Sequence, residues 1–262
     1  SCSQGEKKTQ DTDFHYLLDE FADLKVIRFR VPGWDNLSLR QKEYAYHLSE
    51  AAKLGRDITW DQYCKWNLPI RHVVEDILNE YEGDRECADF QNFTVYAKRL
   101  FFANGIHHHY SEDKFFPECP KEYFQSLMEA VGDGEQATEL LEVIYSPDIY
   151  PQRRSTSKTG DIVELSAVNF YDGVTREEVD KYYNSMMDSN DKTPISYGLN
   201  TKVVKEDGKV VEKPWKVGGI YGPALERICA ELEKAAAVAE TDLQKEAIGK
   251  LVEYYRTGDL KT

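Results

Sequence analysis

No stretch of this sequence approaches the roughly eighteen consecutive apolar residues that a membrane-spanning helix requires. It holds no His-Glu-x-x-His, no His-Glu-x-x-x-His and no Cys-x-x-Cys, so no familiar zinc-ligand spacing is present. Gly-x-Ser-x-Gly, a phosphate-cradling Gly loop and a dinucleotide fingerprint are missing too, which removes the commonest hydrolase and nucleotide-binding readings. Positive charge is in short supply. Against 47 Asp and Glu stand only 33 Lys and Arg, a net charge of -14, and a nucleic-acid backbone would be repelled by it. Cysteines number five; Cys64, Cys87, Cys119 and Cys229 are widely spaced and need not pair in a chain with this much core.

What is present reads as a folded protein. The 262 residues are 41% hydrophobic and 31% charged, too apolar for disorder, and long enough for one large domain or two small ones. Seventeen Tyr and four Trp suit a core, or a surface that holds peptides or sugars. The opening residues 1–13 are polar and unpatterned. Cys2 ahead of such a tether resembles the start of a mature bacterial lipoprotein, in which Cys2 carries the lipid; a free cysteine in a frayed terminus is the alternative. The lipid would place the protein in the periplasm or at the cell surface and give its one link to a membrane; without it a cytoplasmic location stands.

Residues 14–262 read as a single α+β lobe, mainly helical with a small β-sheet. Phe14 to Phe21 has helical spacing and Leu24 to Val31 strand chemistry, stopped by Pro32-Gly33. Capping boxes at Ser38/Gln41, Thr175/Glu178 and Thr241/Gln244 open three helices. Others are expected from Pro69 to Gly83, from Cys87 to Phe102, around Tyr123 to Val131 and from Ala137 to Ile144. Residues 152–160 read as an exposed loop and Ile162 to Phe170 as a strand. Asp207-Gly208 between two β-rich runs is a hairpin signal. Pro223 to Ala239 repeats apolar residues at three and four. Gly218 to Gly222 lacks the Lys-Ser/Thr pair of a nucleotide loop, so a tight helix entry is the better reading.

His107-His108-His109 invites a metal. In an extended segment His107 and His109 share a face, but two imidazoles fall short of the three protein ligands of a catalytic zinc. Asn104, His107, His109 and Tyr110 are instead candidates for holding a passing peptide at a cleft, delivered by the helix that ends at Asn104-Gly105. A solvated loop whose imidazoles pack on Phe115 and Phe116 is the other reading.

Four ordered segments carry a resemblance. They are Phe14-His15-Tyr16-Leu17-Leu18-Asp19-Glu20-Phe21 through Val31-Pro32-Gly33-Trp34, Leu37-Ser38-Leu39-Arg40-Gln41 through Ala52, Asn104-Gly105-Ile106-His107-His108-His109-Tyr110 through Pro117, and Tyr221-Gly222-Pro223 into Ala235. Together they resemble the amino-terminal portion of bacterial dipeptidyl peptidase III. The resemblance implies a two-lobed zinc peptidase that removes dipeptides from the amino end of short peptides. This chain would be its lower, non-zinc lobe, with a small sheet or partial barrel, and would be inactive by itself. Zinc belongs to the parent's other lobe, outside this chain, and no cofactor is expected here. None of the family's catalytic residues maps onto a position in this sequence. Short peptides and the remainder of the parent polypeptide are the implied partners. A non-catalytic surface lipoprotein that binds peptides or glycans is the competing reading.

Overall fold

A computed structural model describes residues 14–262; Cys2 and the tether expected over residues 1–13 lie outside them. The chain divides into two units after Asn36. In the first, β1 (Leu17–Phe21) pairs antiparallel with β2 (Leu24–Ile27), placing Phe21 opposite Leu24 and Glu20 opposite Lys25. The helix expected from Phe14 to Phe21 is thus a strand. Eight residues whose side chains stay largely exposed lack the packing that repays helix nucleation, and the neighbouring strand satisfies the same backbone groups once Ala22, at φ 49°, closes the turn.

The second unit begins with α1 (Leu39–Leu54), α2 (Arg56–Tyr63), α3 (Asn67–Glu80) and α4 (Ala88–Ala103). It continues through α5 (Lys121–Ala130), α6 (Ala137–Tyr145) and the single turn α7 (Ile162–Leu165) to β3 (Tyr171–Asp172) and α8 (Arg176–Asn184). The hairpin of β4 (Thr201–Glu206) and β5 (Lys209–Pro214) precedes α9 (Gly222–Ala237) and α10 (Asp242–Thr257). All three capping boxes form as read. Gly258 ends α10 at φ 71°, the left-handed turn that glycine takes without strain. The fold is α+β, with small sheets and no closed barrel among the described residues.

Three apolar clusters hold this unit together. The largest gathers α2 to α6 around Trp60, Phe93, Tyr96 and Phe124; Phe93 meets Phe124 edge-on at 5.1 Å. A second packs α1 against α9 and α10 through Ala51, Leu225, Leu232 and Val252. The third is small: Val174, Val179 and Val203 between α8 and a three-stranded sheet in which β3 runs parallel and β5 antiparallel to β4. The strand expected over Ile162 to Phe170 is divided. The Asp161 carboxylate caps α7 by accepting from Val163 N at 2.8 Å, and residues 166–168 then run along Gln152 and Arg153. Cys64, Cys87, Cys119 and Cys229 form no disulfides.

Candidate functional site

α4 delivers the segment picked out by its histidines. Asn104 ends the helix in the left-handed region at φ 56°, ψ 40°, and its N–H bonds to Leu100 O. Gly105 follows at φ 149° against the amide of Asn67; a Cβ there would stand 2.2 Å from Asn67 Nδ2. Asn67 is fully buried. It donates to Trp60 O at 3.0 Å and accepts from Ile106 N at 3.2 Å, which fixes the exit from the helix. Residues 107–114 then form a short returning loop, with His107 bridged to Lys114.

The four candidates are not brought to one surface. Asn104 is the helix cap. His107 is buried, and its Nε2 lies 2.8 Å from Tyr150 O; because a carbonyl only accepts, Nε2 carries the proton. Nδ1 is buried without a partner, and burial holds the imidazole down at a pKa of about 4. His107 is therefore a neutral structural residue facing the inside of this lobe, not one side of an exposed pair with His109. His109 and Tyr110 do lie on the surface, and His109 sets its ring edge-on to Phe102 at 5.0 Å. His108 Nδ1 accepts from Tyr110 N and Ser111 N, which ties down the loop's tip.

Buried charge surrounds the base of this loop. Lys114 is buried, and its ammonium donates to Ser146 O at 2.6 Å and Ile149 O at 2.8 Å. Ser146 is the residue that ends α6, so the lysine serves carbonyls that the helix leaves open. Burial lowers its pKa to about 8. Glu112 accepts from Arg153 at 2.6 Å and from Arg154 Nε at 2.8 Å, and the two guanidinium groups hold its carboxyl near pKa 2. The Arg153 guanidinium also lies 4.1 Å from the centroid of the Tyr63 ring. These contacts brace the base of the loop that carries His109 and Tyr110. Beside it a cleft of about 460 Å³ is lined by Tyr150, Asn169, Thr175, Lys65 and Lys205.

A second polar cluster escaped the sequence entirely. Asp61 of α2 accepts from Tyr221 Oη at 2.6 Å and from Asn169 Nδ2 at 3.2 Å, while Asn169 Oδ1 accepts from Lys202 Nζ at 2.7 Å. One carboxylate thus joins α2, the start of α9 and the strand β4. No spacing could have signalled it, since its members lie up to 160 residues apart. Among the described residues no three His, Cys, Asp or Glu side chains converge as a metal ion would need, so the residues present do not fit a zinc.

No family model matches the chain. Its sequence is 23% identical to human dipeptidyl peptidase 3 over 277 residues, covering 86% of this chain and 36% of that protein. Its fold superposes on dipeptidyl peptidase III from Caldithrix abyssi with a TM-score of 0.53 and 19% identity, over 86% of this chain and 32% of that one. The enzyme from Corallococcus sp. strain EGB gives 0.52 and 16%, over 88% and 33%. The chain is similar to one part of dipeptidyl peptidase III. It spans about a third of the length of the relatives it matches. The dipeptidyl peptidase III likeness covers 86–88% of this chain, which agrees with the α+β lobe expected from the sequence.

Proposed function

We propose that this chain is the amino-terminal, non-zinc lobe of a zinc-dependent dipeptidyl peptidase, forming one wall of the cleft in which a short peptide is held. The observation that carries the reading is the likeness to a third of dipeptidyl peptidase III over 86% of this chain. Zinc, its ligands and the water that attacks the peptide belong, on this reading, to the rest of the parent polypeptide. His109 and Tyr110 are exposed donors on a braced loop, and β5 is the outer strand of its sheet, whose backbone groups suit an extended peptide. The proposal includes a lipid on Cys2 that holds the parent at the periplasmic face or cell surface.

Zinc-dependent release of dipeptides by the parent protein tests this. The chain alone should leave a dipeptidyl-naphthylamide intact. The parent should cleave it and lose that activity to a chelator; a parent without such activity would sink the proposal and favour a peptide- or glycan-binding lipoprotein. Within an active parent, His109→Ala should raise KM several-fold with kcat and stability little changed, the scale of one ordinary hydrogen bond. Unchanged kinetics would take the loop out of the cleft. Mass spectrometry of protein from the host reads the lipid on Cys2 directly.

A further inference from the structure

Charged and apolar side chains are segregated along the hairpin of residues 14–36. Its acidic groups Asp19, Glu20 and Asp23 gather at the turn that Ala22 closes, where Glu20 meets Lys25 at 3.5 Å. The open end is apolar and exposed. Leu17 stands opposite Ile27 across the ladder, both about half exposed, so the two side chains share a face. Beyond them Phe14, Phe29, Val31, Pro32 and Trp34 wall an open concavity of about 690 Å³, in which Phe29 is 76% and Val31 67% exposed. Basic residues alternate with apolar ones through Ile27-Arg28-Phe29-Arg30-Val31. Both guanidinium groups lie over the Phe14 ring, at 4.5 and 5.0 Å from its centroid. Asp35 is the one acidic residue at the concavity.

Exposed rings and aliphatic side chains with arginines set among them suit the boundary between lipid headgroups and acyl chains. Aromatic residues with a polar edge settle there, while Arg lays its stem on apolar surface and turns its charge to phosphate. We propose that the open end of this hairpin rests on an anionic phospholipid surface, as a second membrane contact beside the lipid on Cys2. The choice of a bilayer over a protein partner rests on the reading of Cys2 as lipidated. Twelve residues run from Cys2 to Phe14, so covalent geometry keeps Phe14 within about 43 Å of that anchor, however the stretch is arranged. The net charge of -14 opposes a distant approach to anionic lipid, but salt screens it beyond about 8 Å, and at contact Arg28 and Arg30 meet the phosphates. One point of attachment leaves a protein free to turn. The second fixes which end of the hairpin faces the lipid.

Flotation with vesicles of phosphatidylethanolamine and phosphatidylglycerol tests it on the whole 262-residue chain and on the parent, both as Cys2→Ser so that neither carries a lipid. Both should float. The partition coefficient should fall at least about fivefold in F29S/W34S, which changes two exposed side chains outside the ladder, and should fall again when phosphatidylglycerol is exchanged for phosphatidylcholine. A chain that stays in solution, or one indifferent to F29S/W34S or to the lipid exchange, overturns the proposal. So does a parent that stays in solution while the chain floats, because the rest of the polypeptide then covers the face. The outcome is separate from the reading of Cys2. An acylated Cys2 in the host with no flotation here defeats this inference alone, and flotation with an unmodified host Cys2 defeats the anchor alone.

Discussion

The hairpin of residues 14–36 and the α2–α6 cluster use similar residues to opposite effect. In the cluster, Trp60, Phe93, Tyr96 and Phe124 are almost wholly removed from water. In the hairpin, Leu17, Leu18, Ile27, Phe29 and Val31 are each about half exposed or more, and Leu24 alone is buried among its large apolar residues. A two-stranded sheet is marginal by itself, since one ladder and a few side chains barely offset the ordering of the chain. Apolar composition is thus no measure of core. What counts is whether the elements that carry it bring mates for one another, as α3, α4, α5 and α6 do.

The contrast can be broken by mutation. Phe93→Ala should cost about 3–5 kcal/mol, because the ring is enclosed and a cavity is left between α4 and α5; urea denaturation reads it, and a cost below 1 kcal/mol would mean the cluster is loosely packed. Acid acts next, through His107. Its folded pKa of about 4 lies below the ordinary 6.5, so the unfolded chain takes up the proton first as pH falls. Stability is whole above pH 6.5 and drains away toward pH 4, by an amount on the order of 2 kcal/mol. Lys114 and Arg153 oppose the added charge and Glu112 favours it, but burial dominates. His107→Gln, which keeps a donor for Tyr150 O, should flatten the urea midpoint between those pH values; an equally steep profile would place the acid-sensitive group elsewhere.

Smaller effects sharpen the other side. Thr241→Ala removes the side chain that accepts from Gln244 N and should cost about 1 kcal/mol, checked by the same denaturation. Leu17→Ser in the hairpin should change the stability of the chain by less than about 0.5 kcal/mol, since half of Leu17 already faces water. A large loss there would show that the hairpin buries more than its own unit provides.

These differences also explain what could be read from the sequence. The capping boxes, the Asp207-Gly208 turn and the apolar face of α9 are local signals, and each is where its residues said. α2 was not legible. It follows α1 directly at Gly55, whose φ of -83° continues the right-handed path instead of breaking it, and of its eight residues Trp60 alone is buried. The hairpin misled because the spacing of Leu17, Leu18 and Phe21 suits a helix face, while the ladder that settles the matter lies in the next segment. Within the candidate site, the left-handed cap at Asn104 was readable. The burial of His107 depends on Tyr150, 43 residues away, and no periodicity reports that.

The pairing of α1 with α9 has a consequence in time. His47 on α1 meets Glu231 on α9 at 3.0 Å across 184 residues of sequence. A ribosome adds roughly 5–20 residues per second, so α1 leaves the exit tunnel about ten to forty seconds before its mate exists. Over that interval the side of α1 that holds Ala51, Leu48 and Tyr44 is bare, and it is the stretch that a chaperone would be expected to cover during synthesis.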